Sequence, residues 1–201
     1  MYRAKLIFIV ALVVGAVESG PATFNDLLDF FNTTSRIYVY ATTYVTYIYD
    51  NPVTCIWYSK KYLNDTCLTF NIRYKADWRT YDMPVNAKLG DDPDVGGPYM
   101  EPNFWPKETT FRTREKARDF STDKDESVPA RRTLFFNLRD LQCAVFTMPR
   151  RGKIHCELHL WESAIIKEGP YHHVNFTCLK HFQALCGDWP TCITYTHSCN
   201  R

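Results

Sequence analysis

Residues 142–161 read QCAVFTMPRRGKIHCELHLW. The run QCAVFTMP is rich in apolar and β-prone residues, and so is KIHCELHLWESAII (153–166), which reads as strand to its end. Between them RRGK supplies a glycine and a cluster of charge. The pattern is two antiparallel strands joined by a turn. Immediately upstream, RRTLFFNLRD (131–140) has the same character and adds a third strand. No helical segment separates the three, so neighbours pair antiparallel.

The same reading extends toward the N-terminus. TCIWYSKKYL (54–63) and CLTFNIRYKA (67–76) flank Asn64–Asp65 as a hairpin, and WRTYDMPVNAKL (78–89) is a further strand. RIYVYATTYVTYIYD (36–50) is β-prone, with Tyr38, Tyr40 and Tyr44 on one parity, and is broken by DNP (50–52). GDDPDVGGPYMEPNFWP (90–106) is dense in Gly, Pro and Asp and reads largely as loop. The charged stretch 107–130 reads as a surface strand with a mobile loop. Two segments have helical spacing. TFNDLLDFFNTTS places Phe24, Leu27, Leu28 and Phe31 on one face, with Thr23 or Asn25 as its cap. HVNFTCLKHFQALCG places Val174, Cys178, His181, Phe182 and Leu185 together and ends at Gly187. The expected fold is therefore mainly β. It is an eight-stranded antiparallel up-and-down barrel with a short N-terminal helix and a C-terminal helix. Such a barrel has room for one small ligand.

The N-terminus points to export. Arg3 and Lys5 precede an apolar run from Leu6 to Val14, and Val17 and Ser19 suit cleavage before Gly20. The expected organisation is a signal peptide at 1–19 and one domain at 20–201. The apolar run is short for a membrane span. Eight cysteines in an exported chain imply a disulfide framework. Sequons at Asn32, Asn64 and Asn175 suit a glycosylated, secreted, extracellular protein. Cleavage leaves 22 basic and 21 acidic residues, a net charge of +1. That balance gives no basis for nucleic-acid or membrane partners. Aromatic residues make up 15% of the chain, which suits an aromatic-lined interior.

With these pieces in order, the chain resembles the tick salivary lipocalins, the histamine-binding group. The matching segments are IYVYATTY (37–44), NPVTC (51–55), LQCAVF (141–146), CELHLW (156–161), CLKHF (178–182) and the terminal SC (198–199). The resemblance spans the mature chain, most weakly over 85–130. It implies a bridge from the second strand to the C-terminus, Cys55–Cys199. It also implies one from the seventh strand to the C-terminal helix, Cys143–Cys178. Cys67, Cys156, Cys186 and Cys192 admit three connectivities. The favoured one is Cys156–Cys186 with Cys67–Cys192. The tail thus clamps helix and terminus to the barrel's outer wall.

The clamp has a consequence for the interior. Strand side chains alternate between faces. If Cys143 and Cys156 face the helix outside, Ala144, Phe146, Glu157, His159 and Trp161 face inward. Ile56 and Tyr58 do so beside Cys55. The resemblance implies that Glu157 contacts an amine and that a first-strand tyrosine, best matched by Tyr44, assists. The expected ligand-binding set is Tyr44, Tyr58, Phe146, Glu157 and Trp161. Tyr44, Tyr58 and Trp161 would form an aromatic box for an ammonium group. The other reading is that Glu157 bonds a buried tyrosine or His159 and binds nothing. Ala144 stands where the resemblance implies a second acid, which leaves volume for an apolar lipid ligand. HCELH (155–159) lies in a strand and is not the H-E-x-x-H zinc helix. No metal, cofactor or catalytic residue is expected. The expected protein is a monomeric, non-enzymatic secreted binder that suppresses host defence by holding a biogenic amine (such as histamine or serotonin) or a lipid mediator. The alternative is a protein-binding immune modulator acting through the 85–130 loop.

Overall fold

In the computed structural model, residues 21–48, 51–92, 94, 96–106, 131–150, 153–168, 177–187 and 190–200 are described. The signal segment, Asn175 and the stretch 107–130 lie outside them. The order is α1 (Phe24–Phe31), β1 (Ile37–Thr42), β2 (Tyr47–Ile48), β3 (Asn51–Leu63), β4 (Cys67–Ala76), β5 (Arg79–Asp92) and β6 (Gly97–Pro102). After these come β7 (Arg132–Leu138), β8 (Cys143–Arg150), β9 (Lys153–Trp161), α2 (Glu162–Glu168), α3 (Thr177–Cys186) and β10 (Cys192–Ile193).

Eight strands form the wall. The pairing β1–β9–β8–β7–β6–β5–β4–β3 is antiparallel throughout, and β1 also pairs with β3, which closes the barrel. Closure removes the open edges that an unclosed sheet would expose. The expected eight-stranded up-and-down barrel is observed. The two-residue strands β2 and β10 sit beside β3 and β1.

Three local assignments differ from the sequence reading. The stretch 90–106 is not mainly loop. β5 runs to Asp92 and pairs with β6, Gly90 opposite Tyr99. The turn falls at Gly96 and Gly97, whose φ values of 109° and 113° suit only glycine. Strand β9 ends at Trp161, and ESAIIKE continues as α2 rather than as strand. The β-prone run 36–50 is split, because the chain leaves β1 after Thr42.

α1 forms as expected. Thr23 accepts from the Asp26 amide through its hydroxyl, and the Asp26 carboxylate accepts from the Thr23 amide. This capping box satisfies two orphan donors. Leu27, Phe30 and Phe31 are buried on one face. Phe30 and Phe31 pack against Phe146, and Phe31 against Tyr58. α1 thereby plugs one end of the barrel.

Alternation splits the apolar residues into two bodies. The interior holds Ile37, Val39, Ile56, Tyr58, Phe70, Ile72, Leu89, Met100, Ala144 and Phe146 with the face of α1. The outer body holds Tyr38, Tyr40, Cys143, Val145, Leu158 and Leu160 under Leu179 and Phe182 of α3. Three bridges fasten the second body: Cys55–Cys199, Cys143–Cys178 and Cys156–Cys186. Cys67 and Cys192 are free thiols, so the expected Cys67–Cys192 bridge is corrected. Cys67 begins β4 beside the Leu63 end of β3. Cys192 pairs with Thr42, near the point where Thr194 meets Cys55 at the other end of β3. Eight strand residues separate those ends, roughly 25 Å at 3.3 Å per residue, whereas a bridge needs Cα atoms within about 7 Å.

Candidate functional site

The interior carries charge. Glu157 and His159 of β9 and Arg132 of β7 are each 0% exposed. Glu157 lies opposite Phe146 in the β8–β9 register and opposite Thr42 in the β1–β9 register. Both neighbours fix its backbone on the inward parity.

Three side chains bond this carboxylate, and a fourth covers its partners. Arg132 donates from Nε to Oε2 at 2.9 Å and from Nη2 to Oε1 at 3.1 Å. Such two-point pairing is the strong form of the guanidinium–carboxylate contact. His159 Nε2 lies 2.9 Å from Oε2. Tyr44 donates its hydroxyl to Oε1. Trp105 covers Arg132 and His159, its ring centroid 3.9 Å from the Arg132 guanidinium carbon and its plane stacked on the His159 ring.

The protonation states follow from burial and charge. Burial alone would raise the Glu157 pKa. The Arg132 charge, with the hydrogen bonds from His159 and Arg132, outweighs that and holds it at about 2. For His159, burial favours the neutral ring and wins over the raising effect of Glu157. A neutral His159 facing a carboxylate through Nε2 carries its proton there, which leaves Nδ1 as an acceptor. Tyr58 supplies the donor at 2.9 Å. Burial raises the Tyr58 pKa well above its ordinary value, so its phenol keeps its proton. The chain Tyr58–His159–Glu157–Arg132 is therefore a polar line inside an apolar barrel, with the Glu157 charge paired to Arg132.

The residues expected at the site are only partly gathered. Tyr44 and Tyr58 both join the network, at Oε1 of Glu157 and Nδ1 of His159. Tyr44 does so from beyond the end of β1, whereas Tyr38 and Tyr40 pack outside against Tyr195. Phe146 lines the interior, its ring centroid 4.7 Å from that of His159. Trp161 stands apart. It is half-buried at the plugged end, where its indole donates to the Phe30 carbonyl and its ring lies against Phe30. It forms no box with Tyr44, because four residues of strand separate it from Glu157. Sequence reasoning missed Arg132 and Trp105. Arg132 shares parity with Leu134 in RRTLFFNL, which was a usable signal. Trp105 sits in a Pro-rich segment with no periodicity to orient it. Among the described residues, no group of three His, Cys, Asp or Glu side chains is placed to hold a metal ion.

No protein-family model and no curated protein matches this chain. Solved structures do. AM182 in complex with serotonin superposes with a TM-score of 0.53 at 17% identity, covering 90% of this chain and 94% of that one. Japanin from Rhipicephalus appendiculatus bound to cholesterol gives 0.48 at 11%, covering 81% and 94%. The siderocalin Ex-FABP gives 0.42 at 10%, covering 82% and 90%. At these identities the likeness is one of fold: a closed lipocalin-type barrel.

Proposed function

We propose that this chain is a secreted lipocalin-type binder that sequesters a small host mediator in its barrel, and that the mediator is a lipid rather than a free amine. The observation that supports the choice is Arg132. Its guanidinium occupies the place against Glu157 that an amine's ammonium group would need. An incoming amine would break two charge-assisted hydrogen bonds, each worth about 1.5–3 kcal/mol. It would also leave a second buried cation beside the first. A lipid needs apolar walls and a few polar anchors. Ile72, Leu89, Met100 and Phe146 supply walls, and the Tyr44–Glu157–His159–Tyr58 line supplies a polar stripe.

The amine reading keeps one support, an interior carboxylate flanked by Tyr44, in a fold shared with a protein captured with serotonin. An amine fits there by displacing Arg132. The protein-modulator reading rests on the 85–130 region, of which residues 90–100 form the β5–β6 hairpin. Export, cleavage before Gly20, glycosylation at Asn32, Asn64 and Asn175, and a monomeric state all belong to this proposal. No step of it requires catalysis.

The test is mass spectrometry of small molecules extracted from natively purified protein, with titration calorimetry against arachidonate, cholesterol, histamine and serotonin. Lipid uptake with no amine heat supports the proposal. One-to-one amine binding without lipid binding overturns the lipid assignment. An empty extract and no heat from either class overturns sequestration.

A further inference from the structure

A second constellation lies on the outer face of β3 and β4, and the barrel reading makes no use of it. Trp57 and Arg73 are register partners across these strands, and Tyr38 of β1 is paired with Trp57 on the other side. Arg36, just before β1, reaches the same indole. The guanidinium carbons of Arg36 and Arg73 lie 4.7 and 4.9 Å from the Trp57 ring centroid. Lys75 follows two residues after Arg73, on the same face of β4. Its ammonium donates to the Ser198 carbonyl at 2.6 Å. With Thr80 and the Cys55–Cys199 bridge these groups line a cleft of about 230 Å³.

The charges in the cleft do not balance. Arg73 Nε donates to Asp82 at 3.0 Å, and Arg36 Nη1 lies 3.5 Å from Glu162. The partner of Lys75 is a neutral carbonyl. Among the described residues, three cations therefore meet two carboxylates. Arg36 and Arg73 keep 43% and 44% of their side-chain surface exposed. Two guanidinium groups on one ring repel each other, and an anion between them removes the repulsion. A guanidinium fork matches the paired oxygens of a sulfate or phosphate better than an ammonium does. The cleft has the volume of one such group and the first part of its carrier. One wall is the tail segment His197–Asn200, which lies against β4 because Cys199 is bonded to Cys55.

We propose that this cleft is an oxyanion site for a sulfate or phosphate monoester carried on a larger molecule, assembled by the tail clamp. It is independent of the barrel ligand, since Trp57 faces outward from the same strand whose Tyr58 faces inward.

The experiment is titration calorimetry, with tryptophan fluorescence in parallel, using a size-defined heparin oligosaccharide and inositol hexakisphosphate as probes. The proteins are wild type, Arg36→Gln/Arg73→Gln, Lys75→Gln and, as a control on α3, Lys180→Gln. Wild type and Lys180→Gln should bind at low salt, with affinity falling as ionic strength rises. The double variant should bind at least tenfold more weakly, and Lys75→Gln several-fold more weakly. Heparin binding alone names a sulfated glycan as the carrier, and hexakisphosphate binding alone names a phosphate ester; either supports the site. No heat with either probe, or unchanged affinity in the double variant, overturns it.

Discussion

Replacing Glu157 by Gln keeps the shape of the buried side chain and deletes its charge. Arg132 then holds a guanidinium at zero exposure without its Glu157 counter-charge. Breaking a buried pair in this way costs about 3–5 kcal/mol, against about 0–1 kcal/mol for an exposed pair. Asp82→Asn is the internal control, because Arg73–Asp82 lies with some 40% of each side chain exposed. The Trp105 ring lies over Arg132 in both proteins, so its cation–π attraction cancels from the difference. Glu157→Gln should therefore lower denaturant stability by about 3 kcal/mol and the melting temperature by about 10 °C. The double change Arg132→Met/Glu157→Gln should regain most of it, since a buried pair can be replaced by apolar packing at little cost. The pH dependence carries the same signature. Glu157 titrates near 4.5 when unfolded and at about 2 when folded. Its stabilisation is thus complete above pH 4.5, fades as pH falls and is gone below about pH 2. The span is worth about 3 kcal/mol. His159 has a lowered folded pKa, so the unfolded state takes its proton first and stability begins to fall below pH 6.5. The assay is chemical unfolding across pH for wild type and both variants. A Glu157→Gln protein within 1 kcal/mol of wild type, with an unaltered acid profile, refutes the buried-pair reasoning.

Other outcomes follow from the clamp and the local packing. Alkylation without reduction followed by peptide mapping should label Cys67 and Cys192 and recover Cys55–Cys199, Cys143–Cys178 and Cys156–Cys186; a Cys67–Cys192 peptide contradicts the register argument. Cys55→Ala/Cys199→Ala opens a link spanning 144 residues and should cost about 4–5 kcal/mol in the chain-entropy model, whereas Cys67→Ser should stay within about 0.5 kcal/mol. Thr23→Ala breaks the capping box of the plug helix and should cost about 1 kcal/mol in urea unfolding. Gly90→Ala would bring its new methyl to 2.6 Å from the Tyr99 ring, so a loss of about 1–3 kcal/mol is expected by the same measurement.

Much of the fold was legible because it is local. The parity of QCAVF and HCELH is a property of adjacent residues, so it survives the unknowns of folding. So does the spacing of Phe24, Leu27, Leu28 and Phe31, and so does the Gly187 stop. Where the reading failed, composition misled it. Gly and Pro in 90–106 suggested loop, yet pairing of β5 with β6 and of β6 with β7 holds residues 90–102 in the sheet. The Trp161–Glu162 boundary had no breaker in sequence. The strand ends there because its partner β1 begins at Ile37, opposite Trp161.

The sequence by itself determined which faces of β8 and β9 are buried, that Glu157 points inward, and that the tail is fastened to the wall. Only the tertiary structure decided what Glu157 meets. Its partner Arg132 is 25 residues away on β7, and β8 lies between them in the sheet. Whether the two side chains meet depends on barrel closure and on the register shift between Leu134 and Phe136. The two free cysteines follow the same logic. Their oxidation-prone chemistry is written in the residue type, but their separation is set by the length of β3, which no local pattern encodes.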